Sequence, residues 1–457
     1  MMANRFAKVN EIYHGVGQGY TFDGLGILLS DDGQRFFVKG LIKGEEADVK
    51  VTYASRNANY ADIIKLYSLS PHRIQPKCPV ATACGGCQFQ HIDYEEQLKI
   101  KQEKVINAFR TIAKSNFPVD ECVGSKAPYY YRNKTQIPLG MDKKGNIISG
   151  FYRAKTHDII PTPECAIENQ RSNGIMATVR DLMKSMKIDP YDEDKRTGVI
   201  RHILIRASYH TPEIMVVIVA NVPSFPSRNN FVNALRKAHP EITTIVQNTN
   251  TRATNVILGE HDKVLFGPGF ILDDILGVRF RISPQSFFQV NPLQTETLYS
   301  IAINKAALTG NERVLDAYCG IGTLSLIAAS KARSVVGVEI NNKAIKDAKE
   351  NAFRNNISNV SFYTADAGEF MEIAAHNNEQ YDVVLMDPPR KGADEKFLNS
   401  LMKLSPQKIV YVSCDPGTLA RDVAILNKKY EIKSITPVDM FSQTHHVETV
   451  VLMSKIK

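Results

Sequence analysis

Residues 1–66 alternate apolar and polar positions in short runs broken by glycine-bearing turns, as in "GQGYTFDGLGILLS" and "EEADVKVTYASRNANYADIIKLY". Alternation places every second side chain on one face, so the pattern predicts short strands closing into a small β-barrel. "SLSPHRIQPKCP" (68–79) has three prolines and no period, and reads as a linker. "YEEQLKIKQEKVINAFRTIA" (94–113) spaces its apolar residues as an amphipathic helix does. Residues 114–280 mix strands such as "HILIRAS" and "EIMVVIVANV" with a helix around 172–186, an α+β pattern without a repeat. From about 293 strands and helices alternate: "RVLDAYCG" then "TLSLIAAS", "SVVGVEI" then "KAIKDAKENAFRNN", then "VSFYTAD", "YDVVLMDPP", "KIVYVSCD", "YEIKSITPVDMF" and "VETVVLMSK". Repeated βα units predict a parallel, Rossmann-like α/β sheet. The reading is multidomain: a barrel over 1–67, an α+β unit over 68–280 and an α/β unit over 281–457.

Composition adds local rather than global information. The 457 residues carry a net charge of only +8, but Glu96–Ile160 holds twelve Lys/Arg against six Asp/Glu and seven aromatics, including "YYYRNK" (129–134) and "FYRAK" (151–155). Cations for phosphates and rings for bases suit RNA; a solvated basic face over an aromatic core accounts for the same stretch. No apolar run is long enough to span a membrane, and the start lacks the apolar core of a signal peptide, so the cytoplasm is expected, with no membrane partner and no obligate protein partner. Seven cysteines, an odd number, argue against a disulfide framework.

"VLDAYCGIGTLSLIAA" (314–329) reads as a strand, a turn with Gly320 and Gly322 that lets the backbone approach a ligand, and a helix. It is neither G-x-G-x-x-G nor a P-loop. The strand before it ends at Asp316, the next at Glu339, where a carboxylate can accept both ribose hydroxyls. The following strands end at Asp366 and at Asp387 in "DPPR". Acidic residues after successive strands suit a ligand with a ribose, an adenine, a sulfonium and no phosphate, which is S-adenosylmethionine.

"YVSCDPGTLARD" (411–422) delivers Cys414 to the ligand-binding edge of that sheet, just before a helix start. A helix N-terminus lowers a thiol's pKa. A thiolate beside a methyl donor suits C5 methylation of uracil: addition at C6 makes C5 nucleophilic, and a base then removes the C5 proton. "THHVETVVLMSK" (444–455) offers Glu448 as that base, with His445 and His446 as competitors. Cys78, Cys84, Cys87 and Cys165 form a thiol set whose spacing fits zinc or a [4Fe–4S] cluster. Cys122 fits no motif and reads as structural.

"CPVATACGGCQFQH", "YYYRNKTQ", "SPQSFFQVNPLQTE", "VLDAYCGIGT", "MDPPRKG", "VSCDPGTLARD" and "HHVETV" together resemble the RNA 5-methyluridine (uracil-C5) methyltransferase family nearly end to end. The resemblance implies a class I methyltransferase domain with Cys414 as nucleophile and Glu448 as base. It implies S-adenosylmethionine held by Gln289, Tyr318, Gly320, Gly322, Thr323, Glu339, Asp366 and Asp387, with Asp387 also facing the uracil. It implies a [4Fe–4S] cluster on Cys78, Cys84, Cys87 and Cys165, and makes the barrel similar to the OB-like, RNA-binding TRAM domain. Two positions depart from the family pattern: Asp415 stands where Asn is frequent, and Tyr318 where Phe is. The barrel-plus-cluster architecture resembles the 23S rRNA enzymes, with transfer RNA as the alternative substrate. Arg390, in place of a stacking aromatic, disfavours amino-directed methylation. The lack of a second cysteine beyond Cys319 disfavours cytosine-C5 chemistry, and an intact Cys414 and Glu448 disfavour a non-catalytic assembly factor.

Overall fold

The computed structural model describes residues 7–153 and 156–456. The first six residues of the 1–67 unit, Ala154 and Lys155 of "FYRAK", and Lys457 lie outside the described residues.

The N-terminal alternation becomes β1 (Ile12–Tyr20), β2 (Gly26–Ser30), β3 (Arg35–Val38), β4 (Glu46–Ala54) and β5 (Asn59–Ser68). They close into a barrel in the order β1-β2-β3-β5-β4. Leu28, Phe36, Val38, Ala47, Val49 and Val51 fill its interior, every second residue along their strands, as period-two burial requires. The proline-rich stretch after it is tied down rather than free. Arg73 donates through Nε and Nη2 to the two oxygens of the fully buried Glu45, at 2.6 Å each.

Helix α1 (Tyr94–Thr111) starts where Asp93 accepts from the Glu96 N–H. The central unit is a seven-stranded sheet built from β6 (Lys134–Met141), β7 (Ile147–Tyr152), β8 (Ile159–Pro161), β9 (Ile200–Ala207), β10 (Ile214–Ala220), β11 (Ile242–Thr249) and β12 (His261–Phe266). Its order is β12-β11-β10-β9-β6-β7-β8. Helices α2 (Arg171–Ser185) and α3 (Arg228–Ala238) cover one face. Every residue of β9 and β10 is buried, because the other face, with Leu204, Met215 and Val217, joins the core of the C-terminal unit.

The hairpin β13 (Ile271–Ile275) and β14 (Val278–Ile282) and helix α4 (Pro292–Ala306) lead from the central unit into the C-terminal one. Then come β15 (Arg313–Asp316), α5 (Thr323–Ala329), β16 (Ser334–Glu339), α6 (Asn342–Arg354), β17 (Val360–Thr364) and α7 (Ala367–His376). They are followed by β18 (Val383–Met386), α8 (Glu395–Leu404), β19 (Lys408–Ser413), α9 (Pro416–Leu426), β20 (Tyr430–Val438) and β21 (Glu448–Lys455). The sheet order is β17-β16-β15-β18-β19-β21-β20. The first five strands are parallel, and β21 runs antiparallel to both neighbours. The expected fully parallel sheet is therefore mixed. Strands β20 and β21 are joined by a loop with no crossover helix, and such a connection gives an antiparallel pair.

Candidate active site

The strand reversal builds the site. Ligands of open α/β sheets sit at the carboxyl ends of the parallel strands. Strand β15 ends there in Asp316, β16 in Glu339, and Asp387 follows β18. Cys414 follows β19, whose last residue, Ser413, pairs with Thr449 of β21. Because β21 runs the other way, its first residue, Glu448, arrives at the same edge beside Cys414. A cavity of about 620 Å³ opens here. Gln289, Tyr318, Gly320, Thr323, Glu339, Asp366, Asp387, Cys414 and Glu448 all line it.

Gly322 does not. It sits at φ +83°, and a Cβ there would lie 2.9 Å from Phe362 Cζ and 3.2 Å from Ala348 Cβ. The missing side chain lets the turn pack closely against β17 and α6. Glu339 receives the Gly320 N–H at 3.3 Å and the Asn341 N–H at 2.8 Å, which fixes its carboxylate at the cavity wall. Asp366 caps α7 by accepting from the Glu369 N–H.

Electrostatics correct a second expectation. Burial, with the carboxylates of Glu448 and Asp387, pushes the Cys414 thiol up to about 12, against the opposing Arg390. The helix N-terminus gives no relief, because Asp415 Oδ1 accepts the Gly417 and Thr418 N–H groups at 2.8 and 3.0 Å. Burial, then Asp387, holds Glu448 well above the usual carboxyl range, while Arg390 pulls it down. Burial, then Asp316, pushes Asp387 up to about 7, and burial pushes Asp316 up to about 6. Three buried acids and a protonated thiol thus share one cavity. Burial and Lys104 lower His445 to about 4, and burial and His445 lower His446 to about 3, so both are neutral and weakly basic near neutral pH.

A folded-state pKa raised above the ordinary value means that the folded chain holds its proton longer. Stability contributed at Asp387 therefore falls as pH climbs from the ordinary carboxyl range to about 7. Asp387→Asn is expected to raise the melting temperature by several degrees at pH 8 and hardly at all at pH 4. A shift of equal size at both pH values would contradict the ionisation penalty.

The loop between β20 and β21 is held from many sides. Buried Lys101 of α1 pairs with buried Asp439 and donates to Phe441 O at 3.1 Å. Tyr94 and Ser442 donate to Asp439 Oδ2, at 2.6 Å each. Tyr131 donates to Ser442 O, Asn291 to Met440 O, and the Gln88 and Phe89 N–H groups to Gln443 O. Contacts from α1, Tyr131 and Asn291, most of them spanning more than 300 residues of chain, therefore place Phe441, His446 and Glu448 at the cavity. Sequence reading missed these partners, and it missed Tyr299 of α4, a wall residue deep within an apolar helix. Arg390 was read only as the lack of an aromatic.

The central thiols are also brought together. Cys78, Cys84, Cys87 and Cys165 line one cavity of about 290 Å³ together with Arg132. Burial pushes Cys87 up to about 11 and Cys165 to about 12, and raises Cys84. Among the described residues, no three His, Cys, Asp or Glu side chains converge closely enough to hold a single ion. Cys122 is buried in a hydrophobic cluster with Val105 and Phe109 of α1. "YYYRNK" divides between core and surface: Tyr131 is buried, while Lys77 lies 4.5 Å from the Tyr130 ring centroid. Among the described residues, no helix is long and apolar enough to cross a membrane.

A doubly wound sheet with a glycine turn, an acidic residue closing the second strand, and a half-buried thiol at its carboxyl edge defines a methyltransferase-type site. The tRNA (uracil-5-)-methyltransferase family matches residues 271–456. An uncharacterised RNA methyltransferase of Clostridium tetani is 40% identical over 439 residues, covering 96% of this chain and 95% of that protein. One from Staphylococcus aureus MRSA252 is 41% identical over 446 residues, covering 97% and 98%. The crystal structure of Pyrococcus abyssi tRNA (uracil-54, C5)-methyltransferase with S-adenosyl-L-homocysteine is 28% identical, with a TM-score of 0.79 over 96% of this chain and 99% of that one. The chain belongs to the RNA uracil-C5 methyltransferase family, whose cofactor is S-adenosylmethionine.

Proposed function

We propose that this protein methylates carbon 5 of a uracil in RNA through a covalent Cys414 adduct, with 23S rRNA as its substrate. The observation that carries this reading is the meeting of Cys414 and Glu448 at one edge of the sheet, in the cavity that Glu339 and Asp366 also line. S-adenosylmethionine, when bound, supplies a methyl group on a positively charged sulfur. Glu339 would hold the ribose and Asp366 the adenine, with Gln289, Tyr318, Gly320 and Thr323 completing that wall. Burial raises Asp316, Asp387 and Glu448 above the ordinary carboxyl range, and a cation among them would favour their ionised forms.

Cys414 gives its proton to water and its sulfur bonds uracil C6; the C5–C6 π electrons pass into the C5/O4 enolate, and C5 takes the methyl while the methyl's old bonding pair stays on the donor sulfur. Glu448 removes the C5 proton, the electron pair restores the C5–C6 double bond, and the C6–S bond breaks. Phe287, 69% exposed at the cavity, offers a ring on which a base can stack.

The 1–67 barrel is assigned as a TRAM-like RNA-binding module, 68–280 as the central unit with the thiol set, and 281–457 as the catalytic unit. Four thiols around a cavity of about 290 Å³ fit a [4Fe–4S] group better than one ion, because such a group spreads its ligands over its own volume. Cys78, Cys84, Cys87 and Cys165 would hold it, with Arg132 offsetting their charge. Cys84→Ser is expected to cut the iron content of anaerobically purified protein and lower its melting temperature; unchanged iron would contradict the assignment.

Transfer RNA is the second reading, favoured by the Pyrococcus abyssi enzyme, which matches nearly the full length of both chains. Methyl-labelled S-adenosylmethionine, offered with unmodified 23S rRNA and unmodified transfer RNA separately, distinguishes them. Labelled 5-methyluridine from rRNA alone is expected. Label from transfer RNA alone would overturn the substrate and keep the reaction, and label in another nucleoside would overturn both.

A further inference from the structure

A second cavity adjoins the one that holds Cys414 and Glu448. It measures about 840 Å³ and opens between the barrel, α1 and the start of α9. Tyr20, Phe22 and Leu29 of the barrel form one side, and α1 forms another. The two cavities share a partition: Cys414 and His446 line the first, and their chain neighbours Asp415 and His445 line the second. The His445 and His446 rings lie 4.1 Å apart, centroid to centroid.

The barrel is fixed against this partition. Gly24, in the turn between β1 and β2 at φ +86°, comes so close that an added Cβ would lie 2.8 Å from His445 Cβ and 3.1 Å from the Phe89 ring. Beside it Phe22 is 47% exposed, with the Lys104 ammonium 4.0 Å from its ring centroid. Lys104 is itself anchored, donating to His445 O at 2.9 Å.

We propose that this second cavity takes the base of a nucleotide adjacent to the target uridine, with Phe22 as its stacking platform. The proposal rests on the RNA reading above. Apolar and aromatic surface, rather than charge, favours a base here: Arg35, Lys101 and Lys104 line the cavity beside Glu103 and Asp415, so its charges alone do not choose between a base and a phosphate. Tyr20, Phe22, Leu29 and Ile100 offer apolar area for a ring, and Gln18 and Asn107 offer polar groups for its edge. Adjacency follows from the partition: one step of protein backbone, Cys414 to Asp415, separates the two cavities. A strand that turns its target base into the first brings the neighbouring nucleotide over the second, where the base exchanges its lost stacking partner for Phe22.

The test uses the full chain and a short RNA that the wild-type protein methylates, intact or with an abasic residue immediately 5′ or 3′ of the target. One abasic position is expected to lower kcat/KM by about tenfold, the size of one lost base–aromatic stack. Phe22→Ala is expected to lower it similarly on intact RNA, through KM, and to cost nothing further on that abasic RNA. Phe22→Tyr should restore it, and S-adenosylmethionine affinity should be unchanged throughout. Independent, multiplying losses, or no effect of either abasic position on the wild-type protein, would overturn the subsite. The abasic arm decides this even if a Phe22 variant folds poorly. Failure of the wild-type protein to form 5-methyluridine on the intact RNA would overturn the function itself, and the subsite with it.

Discussion

Cys414→Ala is expected to lose methyl transfer by at least about 10⁴-fold, the scale seen when a covalent nucleophile is removed. S-adenosylmethionine should still bind, because Glu339 and Asp366 reach the cavity from β16 and from the cap of α7, independently of β19. The fold should hold, since Cys414 is only partly buried and makes no disulfide. The free thiol is protonated across the neutral range, so wild-type activity should rise with pH while the variant stays flat. Normal turnover by Cys414→Ala would refute its role as nucleophile.

Glu448→Gln is expected to slow turnover by about 10²- to 10⁴-fold, the range general-base catalysis supplies. The character of the loss matters more than its size. An amide fills the same space at the head of β21 and takes no proton. Methyl transfer to C5 therefore still proceeds while release fails, and protein–RNA adduct accumulates. His445 and His446 are held neutral and weakly basic by burial, so they do not substitute. A fully active, adduct-free Glu448→Gln protein would move the base elsewhere.

Patterns carried by neighbouring residues were legible in the sequence. The barrel alternation, α1, the βα units and the strand-end positions of Asp316, Glu339 and Cys414 all reflect local periodicity or turn chemistry. What depends on distant contacts was not. Lys101 reads as one more charge on an amphipathic helix, yet it is buried against Asp439, 338 residues away. Tyr299 lies in a helix that looks like core. The raised thiol of Cys414 follows from its burial between Glu448 and Asp387, which only the sheet order brings together, and from Asp415 capping the helix amides that would otherwise have lowered it. Gly322 is legible as a turn residue, whereas its close packing against Phe362 of β17 is not.

In the proposed reaction Cys414 bonds to uracil C6 as the methyl reaches C5. Substrate RNA with 5-fluorouridine at the target position tests it most directly, since fluorine leaves Glu448 no proton to remove and the adduct cannot break down. Incubated with S-adenosylmethionine, the protein should form a complex whose mass is protein plus RNA plus one methyl group, with the link mapped to the peptide bearing Cys414. A complex linked through any other residue, or no covalent complex from RNA that is methylated when it carries uridine, would contradict the account.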